Sequence, residues 1–426
     1  MIEKIYNYFR QSTGICTDTR QLKPGNLFFA LRGPSFNANQ FARQAIDAGA
    51  VAAVIDDSEY EITDSTILVA DGLSALQDLA RYHRAKLKIP IIGITGSNGK
   101  TTSKELVHAV LSSHFNTFAT QGNLNNHIGV PLSVLSITEK HEMAVIEMGA
   151  NHIGEIAELC TISQPTHGFI TNIGKAHIGL FGGFEGVIRA KSELYNYLIK
   201  TQGTIFVNQN QEILMNMSKR MAEPVFYPNE GSFCKVELLG ADPYVSIKTQ
   251  GGGVLVTKLV GRYNFDNIAT ALCVGKYFQV PEGKAIKAVA EYVPENNRSQ
   301  IVVKGSNTII LDAYNANPSS MEKALENLAG MEAENKVAII GDMFELGDDT
   351  DQEHRAMGEL ARQLGLTEVY FCGKSMQLAR DAFGGGYGFE TRAALIDHLK
   401  SHPISGSTIL IKASRGMALE QVVEVL

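Results

Sequence analysis

Hydrophobic and polar residues alternate along the first 87 residues in a pattern that predicts short strands and helices in turn. Strands are predicted at residues 27–31, 51–55 and 67–69. Helical spacing covers residues 38–48 and stops at Gly49, a residue that favours helix C-termini. Asp71 is a candidate cap for a helix that reaches residue 87, after which Lys88-Ile89-Pro90 interrupts the pattern. We therefore predict a small α/β domain over residues 1–87.

From residue 91 the pattern changes to repeated strand–loop–helix units, which are typical of a parallel sheet with right-handed crossovers. Buried strands are predicted at residues 91–95, 143–146, 167–171 and 204–207. Residues 234–259 are rich in strand-forming residues, and helices are predicted at residues 264–278 and 282–292. These segments predict a central, doubly wound domain over residues 88–298.

A second doubly wound pattern follows in the last part of the chain. Strands are predicted at residues 309–311, 337–340, 369–371 and 408–411, with helices between them. This alternation predicts a Rossmann-like α/β domain over residues 299–426. The expected fold class is therefore α/β with three domains.

Composition and charge narrow the class of protein. Of 426 residues, 44% are hydrophobic and 19% are charged, as in ordinary soluble globular proteins. The net charge of −7 is spread along the chain, which argues against nucleic acid as a partner. The five cysteines are far apart without a CxxC pair, which favours reduced core thiols. Residues 1–10 show no secretory signal and no apolar run is long enough for a membrane span, so we expect a cytoplasmic protein.

Residues 93–102, here called the glycine-rich loop, carry the clearest chemical signal, Gly-Ile-Thr-Gly-Ser-Asn-Gly-Lys-Thr-Thr, between a predicted strand and helix. Glycines let backbone N–H groups approach phosphate oxygens, and a helix N-terminus adds positive potential. Lys100 can reach the β- and γ-phosphates, and the Thr101 hydroxyl can bind Mg²⁺. A strict P-loop has glycine where this chain has Ile94. The alternative interpretation is a glycine-rich turn without a ligand.

The glycine spacing and the run from Thr95 to Thr102 resemble the Mur ligase and folylpolyglutamate synthetase superfamily. Residues 122–126, 146–152, 172–177 and 190–193 look like the central P-loop domain of Mur ligases. Residues 312–321 and 341–347 resemble the members that take D-alanyl-D-alanine. The resemblance implies an ATP-dependent ligase that adds D-alanyl-D-alanine to UDP-N-acetylmuramoyl-tripeptide. We also expect a monomer.

Three residues outside the glycine-rich loop are candidates for metal and carboxylate chemistry. Glu147 ends a predicted strand at the edge where α/β sheets bind ligands, and its position alone leaves a solvated carboxylate or a Mg²⁺ ligand open. His177 lies in a loop, where a lone histidine usually has no ligand role, and Lys191 has the position of a surface lysine. The resemblance implies two Mg²⁺ ions bound by Thr101, Glu147, His177 and a carbamylated Lys191. Lys100, Glu147, His177 and Lys191 are the candidate catalytic residues.

The resemblance also assigns nucleotide and substrate contacts. Expected ATP contacts are Thr95, Gly96, Ser97, Asn98, Gly99, Lys100, Thr101, Thr102, Asn264, Asn267, Arg298, Asp312 and Asn315. Expected substrate contacts are Thr17, Asp18, Thr19, Arg20, Asn123, Asn125, Asn126 and Arg189. Phe344, Glu345 and Leu346 are assigned to an amine pocket only because they follow a predicted strand of the third domain. The asparagines have helix caps or turns as their alternative role.

Other functions stay open at this point. A Mur ligase that adds a diamino acid carries Asp-Asn-Pro-Arg in its last domain, where this chain has Asn315-Ala316-Asn317-Pro318-Ser319 without the arginine. A folate-polyglutamylating enzyme would lack the first domain, which resembles a UDP-sugar-binding domain. A P-loop switch protein would bind nucleotide to control a partner, but the chain has no Asn-Lys-x-Asp guanine signature.

Overall fold

The chain folds around three main sheets in the computed structural model, which describes residues 1–295 and 297–426. The first part of the chain contains α1 (Ile2–Gln11), β1 (Ile15–Cys16), β2 (Leu27–Phe29), β3 (Arg32–Gly33), β4 (Phe36–Asn37), α2 (Ala42–Asp47), β5 (Ala52–Ile55), β6 (Thr66–Leu68) and α3 (Gly72–Arg84). Strands β1, β2, β5 and β6 form a parallel sheet in the order β1-β2-β5-β6. Every residue of β2 and β5 is buried, which explains their continuous apolar runs.

Local hydrogen bonds decide where the helices of this first unit begin. The Asp71 side chain accepts from the Ser74 backbone N–H at 2.7 Å and caps α3, as predicted. The predicted helix over residues 38–48 is divided into a 3₁₀ turn at Ala38–Phe41 and α2. The Asn37 side chain accepts from the Asn39 backbone N–H at 3.0 Å and tightens that first turn.

The middle of the chain forms a larger parallel sheet in the order β12-β11-β10-β7-β9-β8, followed by an antiparallel sheet β13-β14-β15. Its elements are β7 (Ile91–Thr95), α4 (Lys100–Ser112), β8 (Thr117–Ala119), α5 (Gly129–Leu135), β9 (Met143–Glu147), α6 (Glu155–Ser163), β10 (His167–Ile170), α7 (Ile178–Phe181), α8 (Phe184–Thr201), β11 (Thr204–Asn208), α9 (Glu212–Ser218), β12 (Val225–Tyr227), β13 (Val236–Ala241), β14 (Tyr244–Thr249), β15 (Val254–Val260), α10 (Asn264–Tyr277) and α11 (Glu282–Glu291). The chain runs from β7 towards one edge and later returns to place β10 on the other side of β7. The glycine-rich loop therefore leaves the sheet at a switch point of strand order, where such sheets bind ligands.

The last part of the chain forms a mixed sheet in the order β16-β17-β21-β18-β19-β20. Its elements are β16 (Gln300–Lys304), β17 (Asn307–Asp312), α12 (Pro318–Gly330), β18 (Lys336–Gly341), α13 (Thr350–Gln363), β19 (Glu368–Cys372), α14 (Met376–Phe383), β20 (Tyr387–Phe389), α15 (Arg392–Ser401) and β21 (Thr408–Lys412). Strand β16 pairs antiparallel with β17, and all other pairs are parallel. The predicted α/β fold class is confirmed. None of the helices in the described residues is long and apolar enough to cross a bilayer.

Candidate functional site

A cavity of about 630 Å³ lies where the middle and last sheets face each other. Its walls include residues that follow β7, β9, β10 and β17, so the carboxyl ends of strands from two sheets meet at one place. From the middle sheet it receives Ser97–Thr102, Asn123, Asn125, Asn126, Glu147, Asn172, His177, Asn264 and Asn267. From the last part of the chain it receives Arg298, Asp312, Tyr314, Asn315, Asn317 and Lys412.

The glycine-rich loop requires glycine at two positions. Gly96 has φ +143°, and a Cβ atom there would lie 2.0 Å from the Thr171 Oγ1. Gly99 has φ +76°, and a Cβ atom there would lie 2.7 Å from the Asn267 Oδ1. The positive φ angles and the close neighbours therefore disfavour any larger residue at these two positions. The loop leads directly into α4, so its backbone N–H groups lie at the N-terminus of that helix.

Lys100 lies along the inside of this loop. Its Nζ donates to the Gly96 backbone O at 2.7 Å and to the Ser97 backbone O at 3.2 Å. Loss of solvent lowers the pKa of Lys100, the Glu147 carboxylate counteracts this effect, and the Arg298 guanidinium adds to it. A phosphate anion in the cavity would offer this ammonium group stronger acceptors than two backbone carbonyls.

Glu147 is a buried carboxylate with one unused oxygen. The side chain is 2% exposed, and its Oε1 accepts from the Thr101 Oγ1 at 3.3 Å and the Asn125 Nδ2 at 2.8 Å. Its Oε2 has no hydrogen-bond partner within the described residues, which is costly for a buried charged oxygen. A hard cation beside Thr101 would satisfy it, so these groups fit Mg²⁺. The described residues contain no cluster of three His, Cys, Asp or Glu around this carboxylate, so Glu147 and Thr101 would need further ligands of other kinds to complete a metal site.

His177 connects the two halves of the cavity. Its Nδ1 pairs with the Glu345 Oε2, which comes from the loop after β18 in the last part of the chain. Burial lowers the pKa of His177, the nearby Lys100 charge lowers it further, and Glu345 counteracts both. Because Nδ1 is engaged, a metal ion bound by His177 would take the other ring nitrogen.

Lys191 is buried, and its interpretation as a surface lysine is wrong. The residue is 1% exposed on α8, where its Nζ donates to the Ala150 backbone O at 3.4 Å and lies 5.0 Å from the centre of the Phe181 ring. Burial lowers the pKa of Lys191 to about 7, and the charge of Lys100 contributes. A large fraction of this amine is therefore neutral, and nucleophilic, near pH 7.

Two asparagines of α10 form a hydrogen-bonded chain that reaches the first turn of α4. The Asn267 Oδ1 accepts from the Ser103 Oγ at 2.8 Å, and its Nδ2 donates to the Asn264 Oδ1 at 2.8 Å. The Asn264 Nδ2 donates in turn to the Val260 backbone O at 2.8 Å. Both residues are buried within the first turn of α10, and neither is its N-cap, which is Tyr263.

On the side of the cavity formed by the last part of the chain, two arginine side chains lie near the ring of Tyr314. The Arg298 guanidinium lies 3.5 Å from the centre of the Tyr314 ring, and the Arg415 guanidinium lies 4.8 Å from the same point. The Asp312 carboxylate accepts from the Lys412 Nζ at 2.6 Å, and the Asn315 backbone O accepts from the same ammonium group at 3.3 Å. A ligand in the cavity would therefore meet polar and charged groups of both the middle and the last part of the chain.

Three family models match consecutive parts of the chain. A model described as Mur ligase middle domain matches residues 94–275, a second described as Mur ligase, glutamate ligase domain matches residues 297–415, and a third described as Mur ligase family, catalytic domain matches residues 11–84. A curated relative from Bacillus subtilis, named UDP-N-acetylmuramoyl-tripeptide–D-alanyl-D-alanine ligase, is 33% identical over 424 residues, covering 96% of this chain and 92% of the relative. The chain belongs to the Mur ligase family.

Solved structures of Mur ligases agree with this assignment. A structure of MurF from Acinetobacter baumannii is 30% identical, with a TM-score of 0.88 and coverage of 100% of this chain and 98% of that one. A structure of the MurF ligase from Thermotoga maritima in complex with ADP is 25% identical, with a TM-score of 0.85 and coverage of 98% and 97%. The resemblance inferred from the motifs is confirmed, and so is the fold that it implies.

Several expected substrate residues of this Mur ligase lie outside the cavity lining. Asp18 and Arg20 form an exposed ion pair in the first unit, with the Arg20 Nη2 2.7 Å from the Asp18 Oδ2, and Thr17 and Thr19 adjoin it. Arg189 is exposed on α8. Phe344 is 46% exposed and lies against Gly416, whereas Leu346 is 1% exposed, so its side chain offers no surface to an amine substrate here.

Sequence reasoning did not predict roles for Tyr314 and Asn317 in the cavity lining, nor for Asn172 in that lining and Glu193 on α8. The Asn172 Oδ1 accepts from the Asn98 backbone N–H at 3.0 Å, and its Nδ2 donates to the Asn98 backbone O at 2.9 Å. The Glu193 carboxylate accepts from the backbone N–H groups of Gly154 and Ala157 at 2.6 and 2.9 Å and so holds the N-terminus of α6 against α8. Asn172 closely follows β10, so the strand-edge argument that found Glu147 would have found it too.

Proposed function

We propose that this protein is an ATP-dependent ligase that adds D-alanyl-D-alanine to UDP-N-acetylmuramoyl-tripeptide, in the cytoplasm, as a monomer. The main structural support for this proposal is a single cavity in which the glycine-rich loop and the buried carboxylate of Glu147 face Arg298 and Asp312. Relatives with this activity in their names match 96% and 97% of the chain. The proposed domain boundaries lie after residues 87 and 298.

ATP is proposed to lie with its phosphates on the glycine-rich loop. Residues 95–102 would supply N–H groups and the Lys100 ammonium, Asn264 and Asn267 would face the base, and Asp312 and Asn315 would face the ribose. Arg298 would reach the phosphates from the opposite wall. The solved complex of a MurF relative with ADP supports binding of an adenine nucleotide by this chain.

Magnesium is proposed to bind beside the phosphates. Thr101, Glu147, His177 and Lys191 as a carbamate would hold it, and the unused Oε2 of Glu147 supports that choice. When bound, magnesium would neutralise charge on the phosphate oxygens.

Lys191 is proposed to carry the carbamate. Its neutral amine would add to the carbon of CO₂, losing a proton and forming an N-bound carboxylate. Burial, which lowers the pKa of Lys191 to about 7, supports this step because only the neutral amine reacts. The resulting anion would also remove the cost of placing an ammonium group beside Lys100.

The proposed reaction has two steps in which the chain mainly binds and orients. A terminal carboxylate oxygen of the tripeptide attacks the γ-phosphorus of ATP, and ADP leaves, which gives an acyl phosphate. The amine of D-alanyl-D-alanine then attacks the acyl carbon, and phosphate leaves as the amide forms and a proton is released. Lys100 neutralises the charge that shifts during the first step.

Substrate contacts are proposed in three places. Thr17, Asp18, Thr19 and Arg20 would bind the UDP-sugar, and Asn123, Asn125, Asn126 and Arg189 would bind the peptide or its carboxylates. Phe344, Glu345 and Leu346 belong to the loop that would receive the amine. Asn123, Asn125 and Asn126 line the cavity, which supports the second assignment.

The proposal is tested by ADP release in a coupled assay with UDP-N-acetylmuramoyl-tripeptide as the acceptor. We expect rapid release only when D-alanyl-D-alanine and Mg²⁺ are both present, and little with single amino acids. Preferential use of a diamino acid on the dipeptide precursor would favour the related ligase instead. Nucleotide hydrolysis that is indifferent to both organic substrates would favour a nucleotide switch.

A further inference from the structure

The first turn of α12 is hydrogen-bonded to the glycine-rich loop across the interface between the last and middle sheets. The Asn317 Nδ2 donates to the Asn98 Oδ1 at 2.7 Å, and the Asn98 Nδ2 faces the Asn317 Oδ1 at 3.4 Å. Asn317 is 7% exposed, so solvent competes little for this amide pair. The contact joins residues that are 219 positions apart in the chain.

Both residues of this pair make further hydrogen bonds with their own neighbours. The Asn317 Oδ1 accepts from the Ser320 backbone N–H at 3.0 Å and caps α12, which directs its Nδ2 towards the glycine-rich loop. On the other side, the Asn172 amide bonds to both the N–H and the C=O of Asn98. The side-chain amide of Asn317 and the backbone of Asn98 are therefore each held by contacts other than the pair itself.

A second connection runs beside the first. The Lys175 backbone N–H donates to the Ser319 Oγ at 2.9 Å, and the Lys175 Nζ lies 2.5 Å from the Glu353 Oε1 on α13. The preceding residue, Gly174, exchanges hydrogen bonds with the Ser97 Oγ at 2.9 and 3.0 Å. Asn98 of the glycine-rich loop is thus bonded directly to the N-cap of α12, and its neighbour Ser97 is connected to α12 through Gly174 and Lys175.

We propose that Asn317 is a positioning residue: its contact with Asn98 fixes the position of the last domain relative to the glycine-rich loop, an effect called seating below. Asp312 ends β17 and Asn315 lies on the connection from β17 to α12, so the contact of Asn317 with Asn98 sets their distance from the phosphate site. The inference rests on the proposed function for its catalytic consequence. The seating itself is a property of the interface and is measurable without catalysis.

The test uses Asn317→Ser, because serine caps a helix about as well as asparagine but has no amide to reach Asn98. The five native cysteines are buried, so Glu223→Cys and Lys304→Cys provide two exposed labelling sites, one on each side of the interface. Energy transfer between the labels is compared with and without a non-hydrolysable ATP analogue and Mg²⁺. We expect Asn317→Ser to lower the energy transfer in at least one of these conditions, and an unchanged distance in both would overturn the proposal.

Catalysis provides the second readout. We expect Asn317→Ser to lower kcat/KM for D-alanyl-D-alanine by about tenfold, which equals the loss of one neutral hydrogen bond in the transition state. Asn98→Ser should add little to that loss in the double variant, whereas multiplied losses would show that the two residues act independently. Failure of the proposed function would show as an inactive parent protein, while the label distances would still test the seating.

Thr391→Ala is the matched control for helix stability. Thr391 caps α15 in the same domain, accepting from the Ala394 backbone N–H at 3.2 Å, and lies away from the cavity lining. We expect this variant to retain its label distance and kcat/KM. If Thr391→Ala reproduced the effect of Asn317→Ser, general loosening of the domain would explain it and the positioning role would be refuted.

Discussion

Lys191 shows how the surroundings of a single residue create a reactive group. Its ammonium group is removed from water and lies near Lys100, and burial lowers the pKa to about 7. The charged form is favoured below this value and the neutral form above it. The capacity of Lys191 to take up CO₂ should therefore rise as the pH rises through 7.

We predict that activation by CO₂ depends on pH through Lys191. With dissolved CO₂ held constant, protein depleted of CO₂ should regain activity about tenfold faster at pH 8 than at pH 6, because the neutral fraction changes by that factor. The measurement is the initial rate of recovery after CO₂ is added. Lys191→Arg should be inactive and show no recovery. Equal recovery at both pH values, or full activity of Lys191→Arg, would contradict the prediction.

For single residues, the sequence predicted which side chains carry the chemistry more successfully than it predicted their burial and their contacts. Glu147 was identified because it ends an apolar strand, and the structure places it at the cavity. The burial of Lys191 had a signal, since it falls with Val187, Leu194 and Leu198 on the apolar face of α8. The contact between His177 and Glu345 had none, because no local pattern relates residues 168 positions apart.

The glycine-rich loop illustrates a constraint at the scale of one element. Its path between β7 and α4 passes so close to Thr171 that Gly96 has no room for a side chain. A methyl group would displace the loop from β10, and with it the N–H groups that face the phosphate site. The consequence should be a loss of nucleotide binding without loss of the fold.

We predict that Gly96→Ala weakens binding of ADP with Mg²⁺ by at least tenfold in isothermal titration, which corresponds to about 1.4 kcal/mol. Gly305→Ala is the control, since Gly305 also has a positive φ, +58°, but has open space around the position of a Cβ. Its affinity for ADP should be unchanged. Similar affinity losses in both variants would mean that backbone strain, and not the contact with Thr171, is responsible.

Central strands that are buried on both faces were predicted well, whereas several edge strands were missed, although the edge strand β6 was predicted at residues 67–69. The predicted strand 91–95 coincides with β7, which is central and fully buried. Strands β8, β12 and β20 each have three residues and lie at sheet edges, where one neighbour suffices and a long apolar run is not needed. Helix α1 was missed because Ile5 is its single buried residue.

The arrangement of the whole molecule could not be read from periodicity. The three α/β patterns were visible in the sequence, but the cavity depends on how the second and third sheets face each other. Hydrogen bonds such as that between Asn317 and Asn98 set this arrangement, and each amide alone has the appearance of a turn or cap residue. The motifs therefore predicted which residues belong to the site, and tertiary contacts decided where they meet.

The most direct test of the central claim follows one oxygen atom. UDP-N-acetylmuramoyl-tripeptide labelled with ¹⁸O in its terminal carboxylate is incubated with the protein, ATP, Mg²⁺ and D-alanyl-D-alanine, and the released phosphate is analysed by mass spectrometry. If the carboxylate accepts the γ-phosphoryl group and the amine then displaces phosphate, each phosphate formed from fully labelled acceptor carries one ¹⁸O atom. Phosphate free of ¹⁸O while the amide product accumulates would contradict the account.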